Sequence, residues 1–363
     1  AKRVLWFLDR ESHELTAMVD ERGFAPLGIN LRSNSIDWWT FWEEPGTDPE
    51  RLDGLVMEHF DPATKLTIRV ETSLPFLQDG PKVLGESQLG LFTSSPGTQI
   101  PRVVVYDLVD DRVVLDVTID AFPIVVSCSE TGSDCGWMEP AWDAEHKVLY
   151  VPHLYNDLVT TVDLVTGSAN TNEVVKTTAF LERLVAAWQP AAEAKGASSQ
   201  ENAVLSPDGA ILYLTGKELD WSQNVTGSYR EVPLGVVAVD VATMREVARA
   251  ALPISRVVAS PIGETLLATG SWDDSIAGSF FNSSGLHLLD ATTLETVLSI
   301  EPGDSPEDYE LVYSADGQYG YGIDRYAGPS ATIIDIANLE VSPGPILERF
   351  NAELLELGYI LDF

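Results

Sequence analysis

The sequence predicts an all-β protein built from repeated sheet units. In seven places a short β-branched or aromatic stretch runs into an aspartate, which is followed by a turn and a second apolar stretch. Subtraction of residue numbers spaces the copies 52, 46, 56, 77, 50 and 45 residues apart, and the aspartates are Asp9, Asp61, Asp107, Asp163, Asp240, Asp290 and Asp335. A sheet unit repeated at roughly 40–50 residues is typical of a β-propeller. We therefore expect a seven-bladed β-propeller that fills residues 1–363 as a single domain.

Each predicted blade contains four antiparallel strands. In the clearest copy, residues 203–215, an apolar strand meets the turn Ser206-Pro-Asp-Gly209 and a second apolar strand follows. Proline fixes φ in such a turn and glycine accepts a positive φ. After a variable loop come the strand that ends in the repeated aspartate, a tight turn and an outer strand. We interpret the repeated aspartate as structural, because its carboxylate can accept backbone N–H bonds in the turn that follows.

These residues carry a resemblance to a known superfamily. The Ser206-Pro-Asp-Gly209 turn, the Leu-Tyr-Leu strand after it and the Val-Ala-Val-Asp240 strand end resemble the YVTN and WD40-like propellers, among them quinoprotein-dehydrogenase-like and surface-layer proteins. The resemblance extends over residues 101–345 and is degenerate over residues 1–100. It implies the fold and leaves the function open, because that superfamily includes enzymes, scaffolds and ligand binders.

The two ends of the chain predict how the ring closes. Residues 3–9 match the third strand of a unit, and residues 353–363 are apolar enough to supply inner strands. Pairing of 354–363 with 4–8 in one blade would remove exposed sheet edges. A single short helical insertion is expected at about 178–195, packed over a blade or serving as a lid. Its apolar residues fall on one helical face and are Phe180, Leu181, Leu184, Val185 and Trp188.

Charge and cysteine content restrict the partners and the location. The net charge of −34 argues against nucleic acid and anionic membrane surfaces. No apolar run approaches the roughly 20 residues that span a bilayer, so no membrane insertion is expected. Six polar residues separate Cys128 from Cys135, which predicts a disulfide-closed loop, with two free thiols or half of a metal site as alternatives. A disulfide indicates an extracytoplasmic location: periplasm, cell surface or medium.

One face of the predicted propeller gathers the candidate site. Long loops at 218–231 and 271–284 share this face with the shorter loops 153–157 and 324–329. Aromatic rings beside carboxylates suit a sugar or a cationic group, although a solvated acidic loop would have the same composition. No cofactor is expected from the sequence. Ca²⁺ is the alternative, because Asp-rich loops supply oxygen ligands, although no EF-hand spacing is present. The candidate ligand-binding residues are Trp221, Trp272, Asp273, Asp274, Tyr155, Tyr326, Asp220, Arg325 and His153.

Motifs that would identify an enzyme are missing from the sequence. It contains no metal-binding His pattern, no Gly-x-Ser-x-Gly, no phosphate loop and no dinucleotide fingerprint. The sequence therefore favours a non-catalytic extracytoplasmic propeller that binds a partner protein or a glycan through the loop-rich face. One alternative is an enzyme of lactonase or polysaccharide-lyase type that uses His153, Glu218, Asp273 and Arg325. Another is a scaffold subunit of a larger surface or redox assembly.

Overall fold

The regular elements of the protein are β-strands. The computed structural model describes residues 3–8, 15–20, 26–32, 35–41, 55–61, 66–71, 82–84, 88–94, 101–107, 110, 112–119, 138–153, 158–174, 195–220, 230–274, 279–302, 309–314, 316–324, 330–346 and 360–362. These ranges contain no helix, and so none that could cross a membrane. The all-β prediction is confirmed. The predicted helical insertion lies outside these ranges apart from Lys195, which begins a strand.

The N-terminal third of the chain supplies ten strands. They are β1 (Arg3–Leu8), β2 (Leu15–Asp20), β3 (Pro26–Arg32), β4 (Ser35–Phe41), β5 (Leu55–Asp61), β6 (Leu66–Glu71), β7 (Lys82–Val83), β8 (Gln88–Ser94), β9 (Pro101–Asp107) and β10 (Arg112–Thr118). Strands β3 to β6 form one four-stranded antiparallel sheet, and β7 to β10 form the next. Strand order in both sheets follows chain order, as hairpin connections require.

The central part of the chain supplies the next nine strands. They are β11 (Met138–Glu139), β12 (Ala141–Asp143), β13 (Val148–His153), β14 (Leu158–Asp163), β15 (Ser168–Glu173), β16 (Lys195–Leu205), β17 (Ile211–Asp220), β18 (Arg230–Asp240) and β19 (Arg245–Ala250). Strands β12 to β15 form a four-stranded antiparallel unit, and β16 to β19 form another. The short strand β11 pairs parallel to β16.

The C-terminal part supplies the last nine strands. They are β20 (Arg256–Ala259), β21 (Thr265–Asp274), β22 (Ser279–Asp290), β23 (Thr296–Ile300), β24 (Tyr309–Tyr313), β25 (Tyr319–Asp324), β26 (Ser330–Asp335), β27 (Glu340–Ile346) and β28 (Ile360–Asp362). Strands β20 to β23 and β24 to β27 form two more four-stranded units. The described strands thus give six four-stranded units, and β1, β2 and β28 form a three-stranded one.

The two ends of the chain meet in the three-stranded sheet. Strand β28 pairs with β1 through Trp6↔Ile360, Phe7↔Leu361 and Leu8↔Asp362, as the prediction of closure requires. This pair is parallel, whereas neighbouring strands in the other units are antiparallel. A parallel pair needs a long crossover connection, and here the rest of the chain provides it. Among the described strands, the sheet at the chain ends therefore has three members instead of the predicted four, and one of its two pairs is parallel.

The hydrophobic core lies between consecutive units. Val103 and Val105 of β9 pack with Leu149 and Val151 of β13, and Val162 of β14 joins the same cluster. Further clusters join the β12–β15 unit to β16–β19, the latter to β20–β23, and β20–β23 to β24–β27. Four-stranded sheets packed successively against each other are the blades of a β-propeller. The fold prediction is confirmed in class, and the number of blades stays a prediction.

A buried serine organises the turn between the first two strands of several blades. Ser206 Oγ donates to Asp208 Oδ1 at 2.6 Å and accepts from Ile211 N at 2.9 Å. Gly209, with φ of 70°, donates its N–H to the Ser206 carbonyl at 2.9 Å. Ser314 and Asp316 repeat the serine–aspartate bond at 2.7 Å. The Ser-Pro-Asp-Gly motif therefore specifies a closed, hydrogen-bonded turn at one end of the blade.

The repeated aspartates close the turn between the third and fourth strands. Asp163 Oδ1 accepts from Val165 N at 2.8 Å and Thr166 N at 3.0 Å. Asp290 Oδ1 accepts from the N–H groups two and three residues later, at 3.0 and 2.7 Å. The backbone bonds that were expected from the sequence are present. They favour the ionised carboxylate and lower the pKa of Asp163 and of Asp290.

Replacing Asp290 by Asn should make unfolding less sensitive to acid. The Thr293 N–H bond, helped by the Thr293 hydroxyl and the Thr292 N–H, holds the pKa of Asp290 below its ordinary value of 3.8 despite partial burial. A depressed carboxyl pKa stabilises the fold above the unfolded-state pKa of about 4, and that stabilisation is lost as the pH falls. We expect the melting temperature of wild type to fall more steeply below about pH 4 than that of Asp290→Asn.

Near neutral pH Asp290→Asn should melt at a lower temperature than wild type, because the amide oxygen accepts the same N–H bonds without the negative charge that strengthens them. The two melting temperatures should converge as Asp290 is protonated in acid. Circular dichroism melts at several pH values supply the measurement. Parallel curves for the two proteins across the acid range would show that this carboxylate does not contribute to acid sensitivity.

Candidate functional site

Two strand pairs continue beyond their blades. Strands β17 and β18 pair within the blade up to Thr215↔Val236 and pair again up to Asp220↔Arg230. Strands β21 and β22 likewise pair up to Thr269↔Leu286 and again up to Asp274↔Ser279. The prediction of loops was therefore wrong for 218–220, 230–231, 271–274 and 279–284, which are strands. Residues 221–229 and 275–278 lie outside the described ranges. Residues 217–220, which directly follow Gly216, contain no Gly or Pro that would end the strand, and β17 continues through them.

The extended strands join into one sheet across two blades. Arg230 of β18 pairs with Asp274 of β21, and this pair links the two hairpins. The N-terminal part of β16 pairs with the extension of β17, and β11 pairs with β16. We call this six-stranded assembly the ribbon sheet, and it comprises residues 138–139, 195–202, 216–220, 230–234, 271–274 and 279–284. It lies at the end of the blades opposite the serine and aspartate turns.

The connection between the two blades passes against the base of the ribbon sheet. The Ile254 carbonyl accepts from Gly235 N at 3.0 Å and from Thr215 Oγ1 at 3.4 Å. Asn202 Nδ2 donates to the Ser255 carbonyl at 3.0 Å. All three donors lie on strands that enter the ribbon sheet. Residues 251–255 are therefore fixed at the point where the strands leave the blades.

Gly235 provides the space for this crossing. Its φ is 77°, and a Cβ atom at this position would overlap the Ala250 carbonyl oxygen. Gly285 occupies the equivalent position in β22, where a Cβ atom would overlap the Ile300 carbonyl oxygen. A glycine at the base of each extension thus lets the following blade connection approach the backbone directly.

Residues of alternating charge follow one row of the ribbon sheet. The register places Lys195 opposite Asp220, Asp220 opposite Arg230, and Arg230 opposite Asp274. Directly opposed residues of opposite charge stabilise a sheet by about 0.2–1 kcal/mol per pair. Arg230 is exposed at the centre of this row. Two of the predicted acidic site residues therefore have a basic residue opposite them.

An ion pair lies at the base of the first hairpin. Lys217 Nζ is 3.2 Å from Glu231 Oε2, and these side chains retain 16% and 23% exposure. Water and salt therefore screen this partly buried pair less than they would screen a fully exposed one. Neither residue was among the predicted site residues. They were missed because the polar composition of 218–231 predicted a loop, in which these two side chains would not face each other across paired strands.

The structure brings together part of the predicted site. Trp272, Asp273 and Asp274 lie in β21, and Asp220 ends β17 within the same sheet. Trp272 is half-buried, lies opposite Asn282, and its carbonyl accepts from Asn282 Nδ2 at 3.4 Å.

The other predicted residues divide into two groups. His153 ends β13, a strand that contacts β11 and β16, and Glu218 lies in β17 opposite Ser199 and Val232. The remaining candidates lie outside the described residues, as do both cysteines of the predicted disulfide, and they are Tyr155, Trp221, Arg325, Tyr326, Cys128 and Cys135. Of the four residues suggested for the alternative enzymatic function, the structure therefore describes all but Arg325.

The described residues show no metal centre. Within those ranges, no group of three or more His, Cys, Asp or Glu residues is arranged to hold an ion. Binding of Ca²⁺ by loops outside the described ranges stays a prediction.

The comparisons with known proteins identify a fold. No family model and no curated protein matches the chain. A candidate 6-phosphogluconolactonase from Bacteroides fragilis is 12% identical, with 92% of this chain and 86% of that one covered and a TM-score of 0.50. A similar protein from Bacteroides uniformis is 11% identical, with 92% and 88% covered and a TM-score of 0.49. A chain of the mitotic checkpoint complex is 12% identical, with 91% and 78% covered and a TM-score of 0.49. At such identities the likeness extends to the propeller fold alone.

Gly235→Ala should lower stability more than Gly209→Ala. Both glycines have positive φ, at 77° and 70°, so alanine introduces backbone strain of about 1–2 kcal/mol at either position. Only at Gly235 would the new Cβ overlap a backbone oxygen; at Gly209 the nearest atom, Asp143 Oδ2, is 3.4 Å away. Steric overlap adds about 1–3 kcal/mol. Urea unfolding followed by tryptophan fluorescence measures the difference, and equal losses in the two variants would contradict the close crossing.

Proposed function

We propose that the protein is a non-catalytic, extracytoplasmic β-propeller that binds a partner protein through the ribbon sheet and the loops beside it. The observation that carries this proposal is the continuity of the sheet across two blades. The Arg230–Asp274 pair joins hairpins that would otherwise project separately. A joined sheet is a preorganised surface, and preorganisation reduces the entropy lost on association.

The pattern of charge favours a polypeptide over a glycan as the ligand. The row from Lys195 to Asp274 contains both signs of charge and spans three strand spacings, or about 14 Å. Alternating charges select a surface with complementary charges and fix its register. A neutral sugar gains little from such a row. Trp272, half-buried in the same sheet, belongs to the residue types that act as interface anchors.

The experiment compares two charge reversals on a partner identified by native pull-down and mass spectrometry. Arg230→Glu reverses the centre of the row, whereas Arg245→Glu reverses an exposed arginine opposite Asp240 at the other end of the blade. We expect Arg230→Glu to weaken binding of the purified partner at least about tenfold, and Arg245→Glu to leave it unchanged. Trp272→Ala should also weaken binding.

Three results would contradict the proposal. The first is a partner whose affinity changes equally in the two arginine variants, which would move the interface elsewhere. The second is a glycan as the specific ligand. The third is hydrolysis of 6-phosphogluconolactone by purified wild type, which would favour the competing lactonase function.

The extracytoplasmic part of the proposal depends on Cys128 and Cys135. A bridge between them would persist in an oxidising compartment and would be rare in a reducing one. We expect the protein from its native source to gain no alkyl groups before reduction and two after it, as measured by intact mass. Free thiols in that material would contradict both the disulfide and the location.

A further inference from the structure

A pocket of about 440 Å³ lies between two blades, far from the ribbon sheet. It opens where the turn after β16 meets the turns after β20 and β22, at the opposite end of the blades. Strand β17 runs from Ile211 at the pocket to Asp220 in the ribbon sheet, a span of about 30 Å. We call this cavity the seam pocket. Its volume falls in the range of sites for small molecules, about 300–1,000 Å³.

The walls of the seam pocket are largely apolar. Val247 of β19 and Ile262 of the next blade both line it, and they are 54% and 53% exposed. Pro207 and Ala291 add further apolar surface. Exposed apolar side chains that converge on a concavity favour a ligand with an apolar body, because its binding removes both surfaces from water.

A single carboxylate lines the pocket. Asp208 Oδ1 accepts from Ser206 Oγ at 2.6 Å and from Ala210 N at 3.1 Å. The serine bond is the largest of the effects that lower the pKa of Asp208, so the group is ionised at neutral pH. Asp208 is exposed, and within the described part of the chain its two bonds both go to Oδ1. The pocket therefore combines apolar walls with one negative charge.

The tyrosine that lines the pocket adds neither a charge nor a free hydrogen-bond donor. Tyr213 is 2% exposed, and its hydroxyl donates to the Ala291 carbonyl at 2.9 Å. Burial, with smaller effects from Asp208 and Asp290, raises the pKa of Tyr213 to about 12. The group is therefore neutral at physiological pH, and Asp208 is the charged group of the lining.

We propose that the seam pocket binds a small organic cation, an amine whose apolar body lies against Val247 and Ile262 and whose ammonium group lies beside Asp208. The charge selects a cation, the walls select an alkyl or aryl body, and the volume limits the size. This site is independent of the ribbon sheet, so failure of either proposal leaves the other unaffected.

The test uses hexylammonium as the probe and hexanol as its uncharged counterpart, with binding followed by NMR titration. Asp208→Asn removes the charge and retains an oxygen that can accept the two turn bonds. Asp316→Asn is the matched control, because Asp316 makes the same bonds, to Ser314 Oγ at 2.7 Å and Gln318 N at 3.0 Å, in a turn outside the pocket. We expect Asp208→Asn to weaken hexylammonium binding about two- to fivefold, as for a partly exposed ion pair, and Asp316→Asn to leave it unchanged.

A second variant tests the apolar wall. Val247→Thr keeps the size of an exposed side chain and replaces a methyl group by a hydroxyl, so it should weaken hexylammonium and hexanol by a similar factor. Three results would overturn the proposal. They are the absence of saturable hexylammonium binding, hexanol binding as tight as that of hexylammonium, and equal effects of Asp208→Asn and Asp316→Asn.

Discussion

The structure depends on one constraint: a four-stranded sheet of this protein has two apolar faces, and only neighbouring sheets can cover both. The β20–β23 unit shows this most clearly. Leu266 packs towards the preceding unit, and the adjacent Leu267 packs towards the following one. Both are completely buried. Because successive residues of a strand point to opposite faces, an inner strand such as β21 joins its blade to both neighbours, and removal of one blade would expose two apolar surfaces.

This constraint leaves the strand ends as the places where the blades can differ. At one end, the Ser206 and Asp290 turns are short and closed by internal hydrogen bonds. The fold retains this turn even where a non-glycine residue must adopt positive φ, as at Met244 and Leu294. At the other end, strands lengthen, cross to the next blade and form the ribbon sheet. Rigid turns at one end and variable extensions at the other are typical of scaffolds that carry function on connections.

The sequence was informative where a local interaction determines the structure. The Asp290 and Ser206 turns could be predicted because the bonded atoms lie within five residues of each other. The ribbon sheet could not, because the Arg230–Asp274 pair joins residues 44 positions apart. Strand extensions that carry polar residues show no alternation of apolar residues, which is the signal that predicts a strand.

The candidate site shows the same division between local and distant information. Asp220, Trp272 and Asp274 were predicted as site residues from composition, and the structure places them in one sheet. Arg230, which lies opposite Asp274 in the sheet, was missed because nothing in its local sequence relates it to Asp274. The seam pocket was missed for a similar reason, since Val247 and Ile262 come from different blades. The sequence around Val247 and around Ile262 contains no pattern that distinguishes either residue from an ordinary exposed apolar residue.

Hydrogen–deuterium exchange on the free protein tests the central claim, that the hairpin extensions form one hydrogen-bonded sheet. Strand pairing protects amides from exchange until the pair opens. The account predicts slow exchange across 217–220, 230–234 and 271–274, with protection approaching that of the blade segments 211–215 and 265–269. Exchange in the extensions as fast as in an unstructured peptide, with the blade segments still protected, would contradict it.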